Sequence, residues 1–288
     1  MRIDALLARA RPSVSFEVFP PKRDRPLEGT KEIVAEIART GPSFMSVTYG
    51  AAGGSTGVNT CAIAAHVEKA CGVPVLAHLT CIGATRESIA REVGSFRAAG
   101  IENILCLRGD AAPGTVFPGG AAFAHARDLV AFLAGRGFCL GGACYPEGHP
   151  ESAHLADDVA HVREKVDAGL SFLTTQMFFD NNIYFHYLAR LRDAGVTVPV
   201  VAGIMPVTNS RQIARICELS GTHLPPRFRA IVDRFGDEPA AMLDAGVAYA
   251  TEQIVDLFAN GVNHVHVYTM NKPELARRIR ANLGGMVG

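Results

Sequence analysis

Residues 13–19 read SVSFEVF, and their alternation decides how the chain is built. Side chains of a strand point to opposite faces in turn. Val14, Phe16 and Val18 therefore share one face, and Ser13, Ser15, Glu17 and Phe19 share the other. A face of branched and aromatic residues suits a covering of helices. The face with Ser15 and Glu17 is then left to point into a barrel. A carboxyl in that position is poorly solvated, which disfavours its charged form and keeps it protonated near neutral pH. That is what a general acid requires. The same placement suits a Glu paired with an interior Arg or Lys, and the run alone does not choose between the two.

Seven more runs of this kind follow: 44–49 (FMSVTY), 75–81 (VLAHLTC), 103–107 (NILCL), 139–145 (CLGGACY), 172–177 (FLTTQM), 198–205 (VPVVAGIM) and 264–269 (HVHVYT). Most starts lie 26 to 35 residues apart, room for a strand, a helix and two loops, and the last gap is 66. Helical periodicity fills the intervals at 28–40, 86–99, 122–136, 156–168, 182–194 and 209–220. The long gap holds a Pro-Pro break, a short segment at 227–235 and a helix at 239–260, and a final helix runs from 273 to 283. Alternation this regular implies parallel strands with right-handed crossovers. Eight units predict a closed (β/α)8 TIM barrel with an extra helical segment before the last strand. An open doubly wound sheet is the alternative, but no GxGxxG follows the first strand. With 288 residues, the chain suits one barrel domain over 1–288, since such barrels take about 250.

Composition removes other classes. Lys plus Arg and Asp plus Glu are 28 each, so the basic excess of a nucleic-acid binder is missing. No stretch approaches the roughly 20 apolar residues of a membrane helix. The seven cysteines form no CxxC pair and fall mostly in apolar segments, as buried thiols in a reducing compartment do, so a soluble cytoplasmic protein is expected.

In a barrel of this kind chemistry sits at the C-terminal strand ends. Those ends carry Glu17; Thr48 and Tyr49; His78 and Thr80; Arg108, Gly109 and Asp110; Glu147 and His149; Gln176; Asn271 and Lys272. So many polar groups on one rim mark an active site. On the helix over 156–168, Asp158, His161 and Lys165 form a polar stripe beside Val159, Val162 and Val166. It suits either solvent or a ribose and a phosphate. The strands carry no Lys for a Schiff base. His264 and His266 form an HxH pair without an evident set of further metal ligands.

The segments SFEVFPPK (15–22), SVTYGAAGGST (46–56), AHLTC (77–81), LRGD (107–110), YPEGHPES (145–152), KVDAG (165–169), TQMFFD (175–180), GIMPVTNSRQI (203–213) and HVYTMNK (266–272) together cover nearly the whole chain in order. In them the sequence resembles the methylenetetrahydrofolate reductase family in its bacterial single-domain form. The resemblance implies a barrel holding FAD that reduces 5,10-methylenetetrahydrofolate to 5-methyltetrahydrofolate. NADH or NADPH would reduce the flavin and leave, and the folate would take its place. Glu17 then matches the proton donor to N10. Asp110 matches the acidic residue near flavin and pterin, Gln176 a folate contact, and Gln212 and Lys272 further substrate positions. Thr48, Tyr49, Ala51, His78, Arg108, Gly109, Asp110, Ala126, Tyr145, His149, Asp158, His161 and Lys165 match FAD contacts.

The chain departs from that pattern in places. GVNT (57–60) stands where many relatives read RDRT, and His161, Glu164, Ile216 and Lys272 replace commoner residues. These changes bear on nicotinamide preference and affinity. Family likeness also implies a homo-oligomer. Two alternatives remain: hydride transfer directly from NAD(P)H without a flavin, and a folate- or flavin-binding module without catalysis.

Overall fold

The computed structural model describes residues 1–21, 26–49, 56–110 and 122–287; the side chains of residues 56, 212, 214 and 219 lie outside that description. Eight parallel strands close into a barrel in sequence order. They are β1 (Ser13–Val18), β2 (Met45–Val47), β3 (Val75–Thr80), β4 (Asn103–Leu107), β5 (Cys139–Cys144), β6 (Phe172–Thr175), β7 (Val200–Ile204) and β8 (His264–Tyr268). β1 closes the ring against β8 with Glu17 opposite Tyr268, and against β2 with Glu17 opposite Ser46.

The helices are α1 (Ile3–Leu7), α2 (Leu27–Ala38), α3 (Thr56–Lys69), α4 (Arg86–Ala99), α5 (Ala126–Leu133), α6 (Leu155–Asp167), α7 (Asn181–Asp193), α8 (Ser210–Ser220), α9 (Pro226–Phe235), α10 (Pro239–Ala259) and α11 (Pro273–Leu283). α8, α9 and α10 include the extra helical segment expected before the last strand. Among the described residues, no helix is long and apolar enough to cross a membrane.

The period-two pattern sorts the barrel into two environments. Val14, Phe16, Val18, Val47, Ala77, Leu79, Ile104, Val265 and Val267 are buried on the outer face in the main apolar core. Inside, the lower half is dry: Phe44, Leu76, Leu105, Cys139, Phe172 and Val201 pack with Ile3 and Leu7 of α1. That short helix plugs the barrel from below. Asn103 Oδ1 accepts from the Ile3 N–H at 2.8 Å, and the His264 ring meets the Leu7 carbonyl at 2.9 Å. Higher in the barrel the buried inward residues turn polar, with Ser15, Ser46, His78, Thr174 and His266. Gly203 leaves room for Tyr268, because a Cβ there would stand 2.6 Å from the Tyr268 hydroxyl.

Helix boundaries differ from the periodicity in one informative place. α5 covers 126–133, not 122–136. Asp128 Oδ2 accepts from the Ala124 and His125 N–H groups at 2.9 Å and sets the start, while Gly135 and Gly137 take positive φ beyond the end. α1 and α3 were not foreseen, one being too short to show a period and the other too rich in small residues. Apolar residues of α8, α9 and α10 gather with Met177, Phe179 and Val207, which follow β6 and β7 on the mouth side of the barrel.

Candidate active site

β1 carries Glu17 into the upper barrel, where its side chain keeps 21% of its surface open. Ser46 donates to its Oε2 at 3.5 Å, and the Nε2 atoms of His78 and His266 stand 3.7 and 4.0 Å away. Burial raises the Glu17 pKa to about 8, and the Ser46 hydroxyl opposes this only weakly. Burial pushes both histidines down to about 3. They are therefore neutral at pH 7 and supply no countercharge that would hold a carboxylate. Among the described residues, the basic side chains within 4.0 Å of Glu17 are these two neutral imidazoles, not an Arg or Lys.

The neighbours of Glu17 are themselves held. His266 stacks on Phe44, and its ring nitrogens meet Ser15 Oγ at 2.7 Å and Ser46 Oγ at 2.9 Å. Tyr268 donates to the Thr175 carbonyl at 2.7 Å. Among the described residues, His78 Nε2 is buried with no hydrogen-bond partner.

A second polar cluster lies beside β4, β5 and α6. Arg108 is gripped by Glu151 through two bonds of 2.6 Å, and its Nε donates to the Gly109 carbonyl at 3.2 Å. His149 sits edge-on to Tyr145, with ring centroids 4.7 Å apart. Its Nδ1 accepts from the Glu151 N–H at 3.1 Å, which leaves Nε2–H as the outward donor. Tyr145 is pushed up to about 12 by burial and by Asp110 and Asp158. Lys165 donates to the Ala143 carbonyl at 2.6 Å, and burial lowers its pKa. Asp158 is buried, which raises its pKa against the pull of Lys165 and His149, and its Oδ2 has no partner among the described residues.

The polar stripe on α6 divides. At 100° per residue, Asp158 and Lys165 lie within about 20° of each other, while His161 stands about 60° from Asp158 and about 40° from Lys165. His161 is 64% exposed and faces Glu164 at 3.8 Å, and Glu164 is held by Arg127 at 2.6 Å. Elsewhere on the rim, Tyr49 donates to Glu92 Oε1 at 2.6 Å and Thr48 accepts from Thr60 at 3.0 Å.

Asp110 is exposed at the end of the β4 segment, and Ala126 opens α5. Gln176 Oε1 accepts from the Met177 N–H at 3.0 Å, so its Nε2 is the end available to a ligand. Lys272 reaches Thr208 at 2.7 Å. Ala51 lies outside the described residues. Gln212 falls on α8, and its side chain is likewise outside the description. Among the described residues, no group of three His, Cys, Asp or Glu side chains is placed to hold a metal ion.

The sequence pattern described as methylenetetrahydrofolate reductase matches residues 2–284. The chain belongs to this family. It is 32% identical to the Escherichia coli 5,10-methylenetetrahydrofolate reductase, over 94% of this chain and 90% of that one. It is 34% identical to the Arabidopsis thaliana protein named methylenetetrahydrofolate reductase (NADH) 1, over 98% of this chain, and spans about half (50%) of that protein's length. Among solved structures, a Clostridium thermocellum protein described as binding two copies of 5-methyl-5,6,7,8-tetrahydrofolic acid shares the fold. Its TM-score is 0.65 at 14% identity, over 97% of this chain and 98% of that one.

Within the methylenetetrahydrofolate reductase barrel, sequence reading had not assigned Ser46, His266 and Tyr268 to the surroundings of Glu17. The HxH spacing of His264 and His266 shows that both point to one face. Only the register of β8 against β1 shows that they face the barrel interior beside Ser13 and Ser15.

Proposed function

We propose that this protein reduces 5,10-methylenetetrahydrofolate to 5-methyltetrahydrofolate, with NADH or NADPH as electron donor and FAD as bound cofactor. The observation that carries the reading is Glu17, a protonated acid at the barrel mouth between two neutral imidazoles. Opening the imidazolidine ring needs a proton on N10. Glu17 supplies it as the bond from the methylene carbon to N10 breaks and the electron pair stays on N10. The iminium left at N5 accepts a hydride and becomes the N5-methyl group. Solvent at the open mouth returns the proton to Glu17. Gln176 Nε2 donates to a folate acceptor, and Lys272 lies on the same rim for an acidic part of the substrate.

The residues present fit a flavin dinucleotide. Among the described residues, Asp158 Oδ2 is a buried acceptor without a donor, as a ribose hydroxyl requires, and His78 Nε2 is a buried ring atom without a partner. Arg108 and Lys165 supply cationic groups for a diphosphate, and His149 adds its outward Nε2–H. FAD held there would carry hydride between nicotinamide and folate. Thr48, Tyr49, Gly109, Asp110, Ala126 and Tyr145 complete the proposed lining. The name of the Arabidopsis relative supports NADH as the donor to test first.

A second reading has its own observation. Glu151 neutralises Arg108, and the Asp158 carboxyl acts on Lys165, so the cationic character a diphosphate needs is offset. This favours direct hydride transfer from the nicotinamide to the folate. The absorption spectrum of the purified protein, followed anaerobically, separates the readings. A flavin band that bleaches with NADH and returns with methylenetetrahydrofolate supports the first. Folate reduction by colourless protein that takes up no FAD supports the second. Absence of turnover in either state overturns both and leaves a binding module.

A further inference from the structure

The strand that closes the barrel ends in an unusual turn. Among the described residues, Met270 and Asn271 are the non-glycine residues with positive φ, at 52° and 53°. Asn tolerates the left-handed region, whereas a long side chain such as Met is rarely found there. The turn directs the Asn271 amide across the seam to β1. Its Oδ1 accepts from the Phe19 N–H at 2.9 Å, and its Nδ2 donates to the Phe19 carbonyl at 2.9 Å. Two residues earlier, the buried Thr269 hydroxyl donates to the Glu17 carbonyl at 2.6 Å. The backbone ladder between β1 and β8 stops at the pair Glu17–Tyr268. These side chains prolong it from the Glu17 carbonyl to Phe19, just beyond the acid.

The side chain of Glu17 has no comparable anchor. It faces Ser46 from β2, His78 from β3, and His266 and Tyr268 from β8, and its nearest hydrogen bond there is 3.5 Å. Among the described residues no positive charge holds it, so the height of its backbone decides whether the carboxyl sits among the imidazoles or turns into the open mouth. We propose that Asn271 is a positioning residue for Glu17, clamping the end of β1 so that the carboxyl stays in its enclosed site. The strained turn at Met270 is the geometry that brings the amide to Phe19. The catalytic consequence rests on the reading of Glu17 as the proton donor; the positional one does not.

Two substitutions separate the clamp from the strain. Asn271→Gly accepts positive φ and deletes both bonds to Phe19. Met270→Gly relieves the turn and keeps them. The first readout is the titration of Glu17 in substrate-free protein, by infrared difference spectroscopy against Glu17→Gln. The second is the rate of folate reduction against that of cofactor reduction by NADH. Asn271→Gly is expected to lower the Glu17 pKa by about one unit or more, as solvent reaches the carboxyl. It should also slow folate reduction about tenfold or more at unchanged KM, leaving cofactor reduction intact. Met270→Gly should leave titration and rates unchanged and raise the melting temperature. Asn271→Asp, which retains only the acceptor to the Phe19 N–H, should fall between. A wild-type Glu17 titration in Asn271→Gly overturns the proposal. A shifted titration in a protein whose wild type reduces no folate leaves the clamp standing and overturns the catalytic reading instead.

Discussion

Replacing Glu17 by Gln is expected to strengthen the fold while removing the proton donor. The carboxyl titrates near 8 in the folded protein and near 4.5 when unfolded. The folded state therefore binds the proton more tightly, and wild-type stability falls as the pH rises from about 4.5 to about 8. At pH 7 the span above the unfolded value is about 2.5 units, which at ~1.4 kcal/mol per unit corresponds to about 3 kcal/mol. Above pH 8 the full span corresponds to about 5 kcal/mol. Both figures are upper limits, because the side chain keeps 21% of its surface open to water at the mouth. Gln has the shape of the neutral acid and no proton to lose. The assay is urea denaturation of both proteins without ligand at pH 5 and pH 7.5. The stability gap should grow from under about 1 to at most about 4 kcal/mol in favour of Gln. In the same variant, folate reduction should vanish while cofactor reduction by NADH persists. A gap that is the same at both pH values, or a Gln variant that is weaker at pH 7.5, would refute the assignment of Glu17 as an enclosed neutral acid.

Further outcomes follow from the rim and the strands. Gly203→Ala should lower stability by about 1–3 kcal/mol in urea denaturation, because the new Cβ meets the Tyr268 hydroxyl and the Thr175 carbonyl, which are hydrogen-bonded to each other. Lys165→Met should weaken FAD binding by about ten- to a hundredfold in a flavin titration, the worth of one charge-assisted hydrogen bond, with the far-ultraviolet circular dichroism unchanged. Glu151→Gln releases Arg108 from its bidentate pair, and FAD should then bind several-fold more tightly at low salt, with the gain fading as salt is raised.

The direction of Glu17 was legible in seven residues, because a strand has a period of two and only one face of SVSFEVF suits a cover of helices. The closed barrel was legible in the spacing of eight such runs, and the family in the motifs at their ends. The division of the α6 stripe was also within reach, since 3.6 residues per turn align 158 with 165 and leave 161 aside. What surrounds Glu17 was not. Ser46, His78 and His266 come from three other strands, and their meeting depends on the stagger with which the barrel closes, a property of the ring as a whole. The same holds for the plug of α1 beneath the barrel and for the turn at Met270 and Asn271. No local pattern announces positive φ at a Met; the turn is imposed where the last strand must hand its remaining hydrogen bonds to the first. The sequence by itself determined that an acid points into a barrel. The tertiary structure decided that it is buried beside neutral imidazoles, and that burial raises its pKa.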